Sequence, residues 1–256
     1  MNSISLIRAL GSGGLVGFML GLVGGGGSIL ATPLLLYVVG VSSPHVAIGT
    51  SAFAVAINAY ANLFSHSRKG NVLWRQAAWF AAFGTLGALL GSRLGLLVDG
   101  KRLLLLFSFF MFIVGLFMLS KRSTHGNALR GMDGHTIFRT AATAMGTGIA
   151  AGFFGIGGGF LVVPALIFAT GMPTINAIAS SLLSVGTFGL ATGLNYAIAG
   201  MVDWRLTFAF IVGGTICGYV GMTLSSRLST HKNALNRILA VLILAVAAYV
   251  MLQNLP

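Results

Sequence analysis

Residues 21–33 read GLVGGGGSILATP, and residues 152–164 read GFFGIGGGFLVVP. Each stretch sets a run of glycines and then a proline inside an apolar tract, although these are the two poorest helix formers. Glycine leaves its backbone N–H open to an approaching solute. At the start of a half-helix such groups point outward with the positive end of the helix dipole, which suits an anion. The candidate ligands are Gly25, Gly26, Gly27 and Ser28 in the first copy, with Gly157, Gly158 and Gly159 in the second. A phosphate loop would need a Lys–Ser/Thr pair after the glycines and a strand before them; here Ser28 and Ile29 follow Gly27. A linker would not lie inside apolar tracts and stop at a proline. The competing reading is close packing around Pro33 and Pro164 with no ligand.

Further polar groups recur. AIGTS (47–51) matches AIASS (177–181), which adds Thr50, Ser51, Ser180 and Ser181. Their hydroxyls can donate to an oxyanion without bringing a charge into the membrane, or bond their own backbone instead. Asn58, Asn62 and Asn195 are further amides in apolar surroundings, able to line a route or to bond between helices. GNVLWR (70–75) matches GMVDWR (200–205). Trp74–Arg75 and Trp204–Arg205 are interfacial anchors, an aromatic ring beside a snorkelling cation. Arg75 and Arg205, with Pro33 and Pro164, are also candidates for gating or for gathering charge at a cavity mouth. His45 and His66 fall near segment ends and are expected to face the interface, and with no acidic partner nearby they hold no metal. Cys217 stands alone, which excludes disulfides within the chain and cysteine metal sites. No His–carboxylate, Cys–His or Ser–His–Asp set lies within the apolar tracts, so neither an enzyme nor a cofactor is expected.

These groups need a scaffold, and composition defines it. Of 256 residues 56% are hydrophobic and 7% charged, against about 25% charged in a soluble domain. No Asp, Glu, Lys or Arg lies between Ala9 and Ser67, and none between Thr140 and Val202. Both tracts far exceed the roughly 20 residues that span a bilayer. The expected fold class is an all-α polytopic integral membrane protein; the alternating pattern of a barrel is absent. The net charge of +12 comes from scattered loop residues, which speaks against nucleic acid and favours anions over cations. The first apolar run has a counterpart in mid-chain, so no cleavable signal peptide is expected.

The three matched pairs lie 131, 130 and 130 residues apart, in register, which predicts an internal duplication. The reading is a transmembrane repeat over 1–120, a polar linker over 121–139 and a second repeat over 140–256. Four hydrophobic segments are expected in each half: 9–40, 45–66, 76–98 and 103–120, then 140–171, 175–199, 206–226 and 238–255. The fourth of each half is bulky and suits a lipid-facing helix. The third carries Gly84, Gly87, Gly91 and Gly95, or Gly214, Gly218 and Gly221, a spacing that lets backbones approach closely. The first segment is anomalous. Some 32 helical residues would run about 48 Å, too long for a core of about 30 Å and too short for two crossings. It is therefore either broken or re-entrant at its glycines. A single crossing makes the halves parallel and re-entry makes them inverted; the Lys and Arg counts differ too little between the two to decide.

On the paired glycine–proline segments, AIGTS with AIASS, and the repeated GxVxWR, the chain resembles the sulfite exporter TauE/SafE family, also called the toluene sulfonate uptake permeases. The resemblance covers Gly11 to Leu255. The copies differ at GGGGS against GIGGG, so Ser28 offers a contact that Gly159 does not. The family implies an inner-membrane permease for sulfur oxyanions such as sulfite or organosulfonates, with the small anion and the bilayer as partners; a homo-oligomer is compatible. Asp99, Asp133 and Asp203 are the only acids and fall in loops, which argues against a carboxylate proton relay. Downhill anion exit fits better, since a negative-inside membrane favours departure by about 2.3 kcal/mol per charge per 100 mV. Export by alternating access is the expectation. The alternatives are an anion channel of the same architecture, an importer, and a scaffolding subunit.

Overall fold

A computed structural model describes residues 3–120, 133–157, 159–228 and 232–254, which form helices joined by short turns, with no strand among the described residues. The chain opens with α1 (Ser3–Val23), then breaks into a 3₁₀ helix over Gly24–Leu30, one turn of α2 (Ala31–Pro33) and a π-helix over Leu34–Val39. α3 (Pro44–Arg68), α4 (Trp74–Leu97) and α5 (Gly100–Ser120) follow. Beyond residues 121–132, the linker segment outside the described residues, come α6 (Gly134–Phe154), α7 (Gly159–Thr170), α8 (Thr174–Ile198), α9 (Trp204–Leu228) and α10 (Lys232–Asn254). Five of the described helices are long and apolar enough to cross a membrane. The chain is a multi-pass membrane protein.

Local chemistry explains the breaks. Gly24 (φ +71°) and Gly155 (φ +68°), which correspond at an offset of 131, adopt a left-handed conformation that L side chains avoid. Both sit where the helix stops. Pro33 then withholds an amide hydrogen, and the π-helix starts at the next residue.

The helices pair across the chain. α1 lies on α9, α6 on α4, α3 on α8 and α5 on α10. Glycine makes the first two pairings close. A Cβ at Gly13, Gly17 or Gly21 would strike the backbone of Phe210, Gly214 or Gly218, so α1 and α9 run parallel. Gly84, Gly91 and Gly95 meet Ala144, Ile149 and Phe153 in the same sense, so α4 and α6 are parallel too. The glycines of the third segments thus pack, as expected, and each set packs on the first segment of the other half. α3 and α8 are antiparallel, with Gly49 on Tyr196, Gly189 on Ala56 and Gly186 on Tyr60. Both are largely buried. α5 turns Phe109, Ile113 and Leu116 outward, as a lipid-facing helix should.

Two contacts fix where the broken segments go. Ser5, at the start of α1, and Gly40–Ser43, after the π-helix, line one cleft. Likewise Asn176, just after α7, donates to the Asn71 carbonyl at 2.8 Å, level with the start of α4.

Candidate functional site

The two glycine breaks touch. Gly25 and Gly159 are in backbone contact, with no room for a Cβ on either. Every residue from Gly24 to Leu30 is buried, as are Gly155, Ile156, Gly157 and Gly159. Each break also leans on the central helix of the other half: Gly24 on Ile178, Gly155 on Ile48. Gly157 (φ +62°) lies among Val55 and Val185. Gly158 lies outside the described residues.

The first turn of the 3₁₀ helix and the first turn of α7 therefore converge. Both present N-terminal ends, so two positive dipole ends meet in a buried setting. The Gly25 amide donates to Ser181 Oγ at 3.3 Å, and the Ser181 hydroxyl donates to the Ile178 carbonyl at 2.7 Å. The Ser28 hydroxyl donates to the Gly25 carbonyl at 2.9 Å. Close by, Ser51 and Thr32 share a hydrogen bond of 2.9 Å, while Ser51 also donates to the Ile48 carbonyl. Thr32 joins the group although its sequence context gave no reason to single it out: its counterpart at offset 131 is Val163.

The remaining candidate residues are placed elsewhere. Thr50 and Ser180 accept from the backbone amides of Asp203 and Leu73, each at 3.0 Å, at the loops that begin α9 and α4. Asn58 Oδ1 accepts from Thr215 at 3.0 Å, and the Asn62 side chain donates to the Asn58 carbonyl at 2.9 Å. The Asn195 amide donates to Ser92 Oγ at 2.7 Å and to the Leu89 carbonyl at 3.1 Å. Asn58 and Asn195 are interhelical ties. Pro33 is buried and Pro164 exposed, so the two prolines do not share an environment. Arg75 and Arg205 are exposed beside the exposed rings of Trp74 and Trp204, the placement of interfacial anchors. Arg205 follows Asp203, which lines the cleft of about 270 Å³ with Ser5, Ser42 and Ser43.

His66 is a correction. It does not face the interface: its side chain is fully buried, and neither ring nitrogen has a hydrogen-bond partner among the described residues. The signal was present in the sequence as the spacing Asn58–Asn62–His66, one face of a helix. Among the described residues no group of three His, Cys, Asp or Glu could hold a metal.

The model of the family described as "Sulfite exporter TauE/SafE" matches residues 9–250. The chain belongs to the TauE/SafE family. It is also 61% identical, over 99% of its length and 98% of the relative's, to a "Probable membrane transporter protein" of Xylella fastidiosa strain 9a5c. A more distant relative is the "Probable membrane transporter protein YunE" of Bacillus subtilis strain 168, at 25% identity over 85% of this chain and 86% of that one. Another is the "Probable membrane transporter protein MJ0441" of Methanocaldococcus jannaschii, at 28% over 74% and 70%. No solved structure matches the chain. A TauE/SafE protein with these helices is a membrane transporter of that family, and the glycine junction is the feature that a transport role has to explain.

Proposed function

We propose that this transporter exports small sulfur-containing oxyanions, such as sulfite or organosulfonates, across the inner (plasma) membrane by alternating access. The observation that carries the reading is the convergence of two half-helix N-termini at Gly25 and Gly159, where buried backbone amides favour an oxyanion over any cation; the Ser28 and Ser181 hydroxyls, which here donate to the Gly25 and Ile178 carbonyls, turn to the anion when it binds. The family description points to the same class of solute.

The reading includes the architecture. The halves are inverted repeats, and the first segment of each is re-entrant. Three features support this: α1 and α6 pack in exchange on α9 and α4, α3 and α8 are antiparallel, and each broken segment returns to the level of its start. In that topology most Lys and Arg lie on the linker side, which is then cytoplasmic. Rocking one half against the other would open the glycine junction to either face in turn.

The test is counterflow in proteoliposomes with ³⁵S-labelled sulfite, sulfate, thiosulfate and taurine. A carrier shows trans-stimulation by unlabelled anion; a channel passes steady current without it. Ser181→Ala and Ser28→Ala should each raise the half-saturating anion concentration by about tenfold or more, the worth of one hydrogen bond to a charged group. Unchanged saturation in both variants, or no flux of any of these solutes, would remove the junction as the anion site.

A further inference from the structure

Two buried titratable side chains make no hydrogen bond among the described residues, His66 on α3 and Tyr196 on α8. They lie 130 residues apart, the offset that relates AIGTS to AIASS. Their settings correspond as well. His66 sits beside the Gly21 backbone, in the last turn of α1 before its break. Tyr196 packs with Phe153 and Phe154, in the last turn of α6 before its break. Because α3 and α8 are antiparallel, the two flank the glycine junction from opposite sides, His66 on the linker side. The counterparts differ in one chemical respect: an imidazole can become a cation, and a phenol cannot.

We propose that protonated His66 is the loading site for the anion on the linker side, and that Tyr196 is its neutral counterpart on the other side. The proposal rests on the anion reading of the junction. An imidazolium whose one nearby polar group is the Gly21 backbone is costly to bury, and so is an unpaired oxyanion; each offsets the other's cost when the linker side opens. The polar face Asn58–Asn62–His66 continues from this point along α3, about 12 Å at the usual helical rise, against the glycines of α1 and α9. The corresponding face of α8 reads Phe188, Thr192 and Tyr196, with an aromatic ring where Asn58 stands. Affinity for the anion is therefore unequal on the two sides; the other side also holds an imidazole, half-buried His45, whose ring centroid lies 6.0 Å from that of Tyr196, so the pH dependence of His66 is read with His45 replaced. The surroundings leave His66 as the group that titrates. On its own helix the charged neighbours are Lys69 and Arg68, which lies over the Phe64 ring. α1 presents Gly21, and α9 meets Gly21 through Gly218 and Met222, none of them titratable.

The experiment uses proteoliposomes of determined orientation, with the pH of each compartment set separately. The probes are ³⁵S-thiosulfate and ³⁵S-sulfate, both fully ionised near neutrality. Exchange by the wild type should fall several-fold as the linker-side pH rises through the imidazole range; His45→Gln, which removes the imidazole beside Tyr196 and is carried in every variant below, should keep that response and ignore the pH of the other side. His66→Gln and His66→Tyr, the latter installing the counterpart's side chain, should exchange slowly and respond to neither. Tyr196→His should add a response to the second compartment. A pH response that survives in both His66 variants, one that follows the opposite compartment, or none in the wild type overturns the proposal while leaving the anion reading intact. Absence of any anion exchange by the wild type would instead remove the anion reading and this proposal with it.

Discussion

The Thr50 hydroxyl oxygen lies 3.0 Å from the Asp203 backbone nitrogen, and it joins the central helix of the first half to the loop that starts α9. Ser180 makes the equivalent bond to Leu73 at the same distance, at the start of α4. The amides at the head of a helix have no intrahelical acceptor. Here the acceptor comes from the central helix of the other half, so α3 and α8 fix the depth at which α9 and α4 begin. Thr50→Ala and Ser180→Ala should each cost about 1 kcal/mol, the usual effect of losing a cap or a buried hydrogen bond. Thr50→Ser should be near neutral. Denaturation of detergent-purified protein reads the loss, and the half-saturating anion concentration should not move, which separates this role from a ligand role.

Glycine substitutions should divide by contact, not by position in a helix. A Cβ at Gly17 meets the Gly214 backbone, whereas Gly11 and Gly146 have nothing within reach. Gly17→Ala should cost at least about 1–3 kcal/mol, since a backbone cannot move aside as a side-chain tip can. Gly146→Ala should be neutral or gain up to about 1 kcal/mol from helix propensity. Parallel melting curves of the two variants decide this. Equal behaviour would mean that the α1–α9 seam is looser than its contacts indicate.

Much of this was open to reading from residue order alone, and the seams explain where reading stopped. Glycines at Gly84, Gly87, Gly91 and Gly95 mark a face made for close approach, but periodicity cannot say which helix will meet it; the partner, α6, lies beyond a linker. The breaks were legible because glycine and proline act locally. The choice between a broken and a re-entrant segment was not, because it depends on long-range contacts such as Asn176 with Asn71, 105 residues apart. Thr50 reads as a possible ligand because a hydroxyl in an apolar tract has few local partners; the amide it accepts from in the structure, that of Asp203, lies 153 residues away. His66 read as interfacial from its place near a helix end. Its burial follows from the helical face it shares with Asn58 and Asn62, which turns toward the glycines of α1 and α9.

Asn195 and Ser92 provide a measure of one interhelical tie. The Asn195 amide donates both to Ser92 Oγ at 2.7 Å and to the Leu89 carbonyl at 3.1 Å, so it clamps α8 to α4 through a side chain and a backbone group together. Polar ties within a bilayer average about 0.6 kcal/mol and reach about 1.7. A double-mutant cycle with Asn195→Ala and Ser92→Ala should return a coupling within that range. A coupling of zero would assign the contribution of Asn195 to Leu89 alone.

The three acids offer the sharpest test of how transport is driven. Asp99 accepts from the amides of Lys101 and Arg102, and Asp203 from those of Arg205 and Leu206, all at 3.0–3.3 Å. Both therefore cap helices, α5 and α9, whereas Asp133 precedes α6 without a side-chain capping bond. Asparagine caps about as well as aspartate, so replacing all three with asparagine should leave the fold intact at a cost below about 1 kcal/mol per site from the lost dipole interaction. A carrier whose anion leaves down its electrical gradient requires no carboxylate to shuttle protons. The triple variant should keep its rate of ³⁵S-thiosulfate exchange within about twofold of wild type, a factor that corresponds to less than ~0.5 kcal/mol in the barrier. Loss of exchange in monodisperse, well-inserted protein would return the acids to the mechanism and put Asp203, which lines the cleft beside Ser5 and Ser43, at the head of the search.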